Sequence, residues 1–202
     1  MCRVYTKAYP APSVDVGAIT RYARATELTP ESRKLCDECL SLCLTNTVYR
    51  VCYSEFPLIF DGDKLYIGDI ATKSQDLRGR LDGCYAAVVF AATVGMEYDR
   101  LIRAYGKLDA AKAFMLQAIG TERVEALCDV FCKELKDNKS DLGEEVTDRF
   151  SPGYGDLPLE LQRNIFDMLD CERHIGVFLN NSLLMTPSKS VTAIIGIKKH
   201  IL

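Results

Sequence analysis

The stretch from Arg149 to Tyr154 combines residue types that suit a ligand-binding loop. Its sequence is Arg-Phe-Ser-Pro-Gly-Tyr. The arginine presents a planar, permanently charged fork that matches a carboxylate. Gly153 allows main-chain groups to come close to a ligand, and the tyrosine ring suits a purine or a cation. The alternative interpretation is an ordinary turn that happens to contain these residues.

Glu125 is the acid best placed to complement that loop. It lies on a predicted helix over 121–136, three and seven residues before Cys128 and Cys132, at the border of an apolar stripe. An acid there suits an ammonium or sulfonium group, although it could equally contact Asp129 or solvent. Together with the loop it indicates a zwitterionic, aromatic and positively charged ligand. S-adenosylmethionine has all three properties.

The nine cysteines raise the question of a metal or redox site, above all in the run Cys36-x2-Cys39-x3-Cys43. These three thiols lie on the apolar stripe of one predicted helix that begins at Thr29-Pro30, where cysteine behaves as a small hydrophobic residue. A zinc site would need a fourth ligand. We therefore favour a role in the core, with a metal or thiol redox site as the alternative.

Composition excludes several classes of protein. The 202 residues are 48% hydrophobic and 26% charged, with a net charge of −3, which argues against a nucleic-acid binder. The longest nearly apolar run, 84–96, is too short to cross a bilayer. An odd cysteine count without a secretion signal predicts a cytoplasmic protein with reduced thiols. No nucleophile elbow, phosphate loop or zinc-protease motif is present, so we predict no catalytic residue and no metal ligand.

The elements that must position these residues alternate irregularly between helix and strand. The periodicity predicts helices over 15–26, from Thr29 onward, and over 74–81, 97–106, 109–119, 121–136 and 159–169. It predicts strands over 48–60, 64–67, 85–94, 175–179 and 190–197, after an extended lead-in over 1–14. Gly106 and Gly120 are expected to break helices, 137–148 to form a loop, and Asp156 with Pro158 to open the last helix. The prediction is a single mixed α+β domain over 1–202.

Residues 149–196 resemble the activation domain of cobalamin-dependent methionine synthase. That family carries an Arg-x-x-Pro-Gly-Tyr loop, a helix, a histidine-glycine step and a Ser-x-x-Met-x-Pro-x-x-Ser-Val strand start. The corresponding segments here are 149–154, 159–169, His174-Ile-Gly176 and 182–191. Glu125 aligns with the family's ligand-binding glutamate on one short helix. The resemblance separates a divergent part, 1–120, from the part that carries the motifs, 121–197.

The resemblance implies a fold and a ligand. The fold is a C-shaped α+β domain around a twisted antiparallel sheet flanked by helices, and the ligand is S-adenosylmethionine. It implies that Arg149, Glu125 and Tyr154 line the site, and we expect Arg149 to bind the methionine carboxylate, Glu125 to bind a positive or hydroxyl group, and Tyr154 to pack near the sulfonium. The backbone at Ser151 and Gly153 would complete the site.

The resemblance also implies a reaction, the reductive remethylation of cob(II)alamin in a methionine synthase. The cobalt receives an electron from a flavodoxin-like or ferredoxin-like donor and then takes the methyl group. Both reactants are already activated, so the protein supplies proximity and orientation. Because no cobalamin-ligating Asp-x-His-x-x-Gly is present, we expect a standalone subunit with a separate corrinoid partner.

The match to the family is incomplete at both ends. The family's N-terminal aspartate ligand has no clear counterpart here, and the chain stops at Leu202, before the family's late tyrosine ligand. Two alternatives stay open. One is reactivation of another corrinoid methyltransferase, and the other is a regulatory module that senses S-adenosylmethionine.

Overall fold

Strand β5 (Ala86–Thr93) lies at the centre of the fold and is buried along its whole length. In the computed structural model, which describes residues 3–43 and 45–199, its side chains alternate between two cores. Val88 and Phe90 face the first core, whereas Val89 and Ala91 face the second. Because side chains alternate along a strand, one that is apolar at nearly every position needs cover on both faces. The predicted buried strand is confirmed.

The described strands form a seven-stranded antiparallel sheet in the order β4-β3-β2-β5-β9-β6, with β1 also paired to β2. Besides β5, they are β1 (Tyr5–Ala8), β2 (Arg50–Asp61), β3 (Lys64–Ile67), β4 (Ile70–Thr72), β6 (Glu144–Val146) and β9 (Ser190–Lys199). Strands β7 (Phe178–Leu179) and β8 (Met185–Thr186) form a separate hairpin. Met1, Cys2, Leu44 and residues 200–202 lie outside the described residues.

Helices cover both faces of the sheet. They are α1 (Val16–Tyr22), α2 (Pro30–Cys43), α3 (Gln75–Arg80), α4 (Glu97–Tyr105), α5 (Ala110–Ser140), α6 (Leu161–Leu169) and α7 (Cys171–Ile175). The first core lies under α1, α2, α4 and α5, and the second lies under α3, α6 and α7. None of the described helices is long and apolar enough to span a membrane.

The cysteine-rich helix α2 contributes to the first core. Cys36, Cys39 and Cys43 are fully buried, so the interpretation of this run as core is confirmed. Burial raises the pKa of all three thiols, that of Cys39 to about 12, and they are therefore neutral at physiological pH. Residues 3–43 and 45–199 contain no group of three or more side chains placed to hold a metal ion.

Helix α5 is continuous over 31 residues, so the predicted break at Gly120 is wrong. Gly120 is instead a site of close packing inside the helix. A Cβ atom there would lie 2.9 Å from Tyr98 Cδ1 and 2.9 Å from Lys189 Cε. Glycine at this position admits those side chains and does not end the helix. Because α5 extends to Ser140 and β6 follows, the predicted loop over 137–148 is wrong at 137–140 and 144–146 and holds only at 141–143 and 147–148.

Three other boundaries differ from the predictions. Strand β2 runs through Pro57, which had suggested an interruption. Of the predicted strand over 175–179, only Phe178–Leu179 is strand, because Ile175 is the last residue of helix α7, which Gly176 ends with a φ of 71°. The helix predicted from Asp156 begins only at Leu161, because Asp156 contacts a different helix. The helix start at Thr29 is confirmed, since its hydroxyl accepts a hydrogen bond from the Ser32 N–H at 3.3 Å.

A buried ion pair on α5 anchors the segment that precedes α1. Glu122 and Arg123 pair at 2.5 Å, with almost no solvent exposure. Arg123 also donates to the carbonyl oxygens of Pro12 at 2.7 Å and Ser13 at 2.6 Å, and Glu122 accepts from the Asp15 N–H at 3.0 Å. The pair therefore attaches the N-terminal segment to the long helix.

Candidate functional site

The loop that starts at Arg149 is attached to the edge of the sheet. Phe150 and Ile194 of β9 exchange two backbone hydrogen bonds, each 2.9 Å long. Because this pairing follows β6 directly, the loop leaves the sheet in a fixed direction. The Arg149 side chain then reaches α5, where its ionic partners lie.

The other end of the loop is attached to α3. The Asp156 carboxylate accepts hydrogen bonds from the Ser74 hydroxyl and from the N–H groups of Gln75, at 2.7 Å, and Asp76, at 3.3 Å. The Asp76 carboxylate in turn accepts from the Asp156 N–H at 3.1 Å. These contacts cap the helix N-terminus and lower the pKa of Asp156, mainly through the Ser74 hydrogen bond. Gly155, with a φ of 54°, leaves room for Asp76.

A cavity of about 390 Å³ opens between this loop, α5, α6 and the start of β9. The residues that line it are Arg80, Glu125, Arg149, Phe150, Ser151, Pro152, Tyr154, Gln162, Met185, Ser190, Val191 and Thr192. Its volume falls within the range of small-molecule sites. The wall mixes apolar side chains with a few polar and charged groups, as such sites usually do.

An ionic cluster forms the charged part of the wall. Arg149 Nη2 lies 2.7 Å from Glu125 Oε2 and 3.0 Å from Asp129 Oδ1. Burial alone would lower the pKa of the Arg149 guanidinium, but the neighbouring Glu125 and Asp129 carboxylates act in the opposite direction, and the net effect of the surroundings is a raised pKa. Arginine thus stays charged here, beside carboxylates of opposite sign. Such a pair offers one contact to an anionic group and another to a cationic group.

Four of the five predicted site residues line this cavity: Glu125, Arg149, Ser151 and Tyr154. Tyr154 is 67% exposed and lies at the rim. Gly153 is not among the lining residues, because it shapes the turn behind them. Its φ is 91°, which favours glycine, and its N–H donates to the Leu157 carbonyl oxygen at 2.9 Å.

The thiols beside the cluster do not add a nucleophile. Cys128 is buried and Cys132 is partly buried on α5. Burial raises the pKa of both thiols, that of Cys132 to about 11, although Arg149 opposes the shift. Both are therefore protonated at neutral pH, and a thiolate is the reactive form.

Sequence reasoning did not identify several lining residues. Met185, Ser190 and Val191 belong to the strand-start motif, so their spacing relative to the loop was an available signal. Arg80 and Thr192 carry no local signal, because they come to the cavity only through the packing of α3 and β9. Arg80 places its guanidinium 4.5 Å from the centre of the Phe150 ring.

Comparison with known proteins identifies the family. Residues 82–200 match the family model described as "Vitamin B12 dependent methionine synthase, activation domain". A solved structure described as "Crystal Structure of the MetH Reactivation Domain bound to AdoHcy" matches with a TM-score of 0.73 at 16% identity, covering 96% of this chain and 78% of that one. The structural match confirms the α+β fold with an antiparallel sheet flanked by helices. Because the family match spans more than half of the chain, this protein belongs to the activation domains of vitamin B12-dependent methionine synthase.

Proposed function

We propose that the cavity binds S-adenosylmethionine and that the chain serves the reactivation of a cobalamin-dependent methionine synthase. The observation that carries the proposal is the pair of Arg149 and Glu125, 2.7 Å apart in the cavity wall. An α-amino acid group bears a carboxylate and an ammonium, so it finds a partner for each in this pair. Family membership supports the same ligand, and AdoHcy, bound in the structural relative, is its demethylated form.

Three charged or aromatic wall residues have distinct roles in this proposal. Arg149 binds the ligand carboxylate through its guanidinium fork, and Glu125 accepts hydrogen bonds from the ammonium. Tyr154 offers its ring face to the sulfonium, which is a cation. The loop backbone at Ser151 and the turn at Gly153 keep these groups in place. These residues bind and orient the ligand, and none of them needs to move a proton.

The chemistry comes from the ligand and from a partner protein. S-adenosylmethionine supplies the methyl group of its sulfonium and leaves as S-adenosylhomocysteine. We propose that the acceptor is cobalamin carried by the cobalamin-binding module of a methionine synthase, with a flavodoxin-like or ferredoxin-like electron donor. The contribution of this chain is to hold the methyl donor in one orientation, which removes much of the entropic cost of a reaction between two large molecules.

Calorimetric titration with S-adenosylmethionine tests the binding proposal. We expect the wild-type chain to bind and Arg149→Ala to lose about 1.5–3 kcal/mol of binding free energy, the scale of a hydrogen bond to a charged group. Arg103→Ala is the matched control, because Arg103 is exposed on α4 and does not line the cavity. The absence of both heat and a thermal shift with the wild-type chain would contradict the proposal.

A methyl-transfer assay tests the role in reactivation. The chain is mixed with the cobalamin module of a methionine synthase, a low-potential reductant and methyl-labelled S-adenosylmethionine, and methylcobalamin is measured. We expect label transfer that depends on the chain and falls with Arg149→Ala. Ligand binding without any label transfer would instead favour a regulatory module that senses S-adenosylmethionine.

A further inference from the structure

Two buried side chains in the cavity wall carry polar atoms without hydrogen-bond partners. Gln162 is 6% exposed and Thr192 is 2% exposed, and both line the cavity. Within residues 3–43 and 45–199, Gln162 Oε1 and Thr192 Oγ1 have no partner. Buried polar groups are normally paired, and each exception requires an explanation. The other atoms of this kind in the described part of the chain belong to residues outside the cavity wall.

These two side chains differ in character from the ionic cluster. Gln162 is on α6 and Thr192 is on β9, whereas Arg149 and Glu125 meet beside α5. The carboxamide and the hydroxyl are neutral, so they suit an uncharged part of a ligand that can both donate and accept hydrogen bonds. The cavity wall therefore has charged groups that suit the amino acid part of a ligand and neutral polar groups that suit an uncharged part of it.

We propose that Gln162 recognises the edge of the adenine base, with Thr192 as a second polar contact; this rests on the proposed function. A carboxamide presents an acceptor and a donor side by side, which match the N6 amino group and N7 of adenine. The backbone of Gln162 is already satisfied, since its N–H donates to the Leu159 carbonyl oxygen at 3.0 Å. A rotation of the amide turns Oε1 from its buried position to the base. Met185, also in the wall, supplies apolar contact for the ring.

The test changes the ligand and the residue in turn. Titrations compare S-adenosylhomocysteine with S-inosylhomocysteine, in which a carbonyl oxygen replaces the N6 amino group. We expect the wild-type chain to prefer the adenosyl ligand by a factor on the order of 5 to 150, the range for one bidentate pair. Gln162→Met should weaken binding of the adenosyl ligand by a similar factor and remove the preference, because its side chain cannot distinguish the two bases.

Controls separate folding from recognition. Gln117→Met makes the same change at an exposed position on α5 and should keep the preference. The ligand comparison on the wild-type chain needs no substitution, so it tests recognition of the adenine N6 amino group even if Gln162→Met is unstable. Thr192→Val, which keeps the shape and removes the hydroxyl, should weaken both ligands equally.

The outcomes distinguish this inference from the proposed function. If the wild-type chain does not bind S-adenosylhomocysteine, the proposed function fails and this inference fails with it. If it binds both ligands equally, or if Gln162→Met keeps the preference, only the assignment of the base is overturned. The 2′-deoxyadenosyl ligand gives a further check. If it binds the wild-type chain more weakly than the adenosyl ligand, and Gln162→Met removes that difference, Gln162 contacts the ribose and the assignment to the base is overturned.

Discussion

At the scale of single residues, the charge of Arg149 is already balanced within the protein. Glu125 and Asp129 both contact the same guanidinium nitrogen, Nη2. The ligand carboxylate that we propose for Arg149 would therefore add to or displace an existing ion pair and would not meet an isolated cation. Removing Arg149 leaves two uncompensated carboxylates, so the binding loss expected for Arg149→Ala includes their repulsion of the ligand carboxylate as well as the lost contact.

The hydrogen bonds of Asp156 lead to a prediction about how stability depends on pH. Its folded pKa is lowered by hydrogen bonds from Ser74 and from the N–H groups at the start of α3. The stabilisation is therefore fully present above the unfolded pKa, about 3.9, and is lost as the pH falls through the lower folded pKa. We expect Asp156→Asn to have a lower melting temperature than wild type at neutral pH, with the difference closing in acid. Thermal denaturation from pH 7 to pH 3 measures it.

The matched control for this prediction is Asp82→Asn, an exposed residue in the turn after α3. The melting temperature of Asp82→Asn should differ from that of the wild type by a nearly constant amount across the same pH range. A gap for Asp156→Asn that stays constant down to pH 3 would contradict the role of the carboxylate charge in capping α3.

The site residues that could be predicted are those with a local signal. Arg149 and Tyr154 stand in one short motif, and Glu125 stands at the border of an apolar helix stripe, so residue type and spacing indicate all three. The contact between Arg149 and Glu125 across 24 residues of sequence depends on how α5 packs against the sheet. Gln162 gives no signal at all, because a polar residue in the first turn of a helix is usually exposed.

At the scale of elements, α5 shows how packing overrides local preference. Glycine disfavours a helix interior by about 1 kcal/mol relative to alanine, which is why the sequence predicts a break at Gly120. The contacts of Tyr98 and Lys189 with the helix backbone outweigh that cost. No local sequence pattern can predict these contacts, since Tyr98 and Lys189 lie 22 and 69 residues away from Gly120 along the chain.

A pair of glycine substitutions tests this explanation. A Cβ atom added at Gly79 in α3 would meet nothing within 4 Å, so Gly79→Ala should raise the free energy of unfolding by about 0.5–1 kcal/mol. Gly120→Ala gains the same helix preference but forces Tyr98 to move, at a cost of about 1–3 kcal/mol. We therefore expect Gly120→Ala to destabilise the protein in urea titrations. Equal stabilisation by both changes would show that Gly120 is not a packing site.

At the scale of the whole molecule, the Glu122–Arg123 pair connects the N-terminal segment to the layer that carries the site. Arg123→Met leaves Glu122 buried without its partner, so we expect a loss of about 3–5 kcal/mol in the free energy of unfolding. The double change Glu122→Leu with Arg123→Met removes both charges and should recover a large part of that loss. Chemical denaturation measures both, and a double variant no more stable than Arg123→Met would contradict the explanation.

A buried sheet in a mixed α+β domain was predictable in outline, because β5 and β9 are nearly continuous apolar runs, whereas its antiparallel pairing was implied only by the resemblance to the family. The order of the strands was not, since it depends on contacts such as Ala86 with Ile197 that join distant parts of the chain. The attachment of the N-terminal segment to α5 could not be predicted either, because a Glu-Arg pair on a helix usually faces solvent.

Strand β9 has a consequence for how the cavity exchanges its ligand. Its first residues form part of the wall, its middle pairs with Phe150, and its far end pairs with β6. A buried strand that is paired on both sides in this way belongs to the part of a protein that opens last in native-state hydrogen exchange. We therefore expect the proposed ligand to bind and leave without local unfolding of the sheet. Its exchange rates should be set by motions of exposed groups such as Tyr154, on timescales much shorter than that of sheet opening.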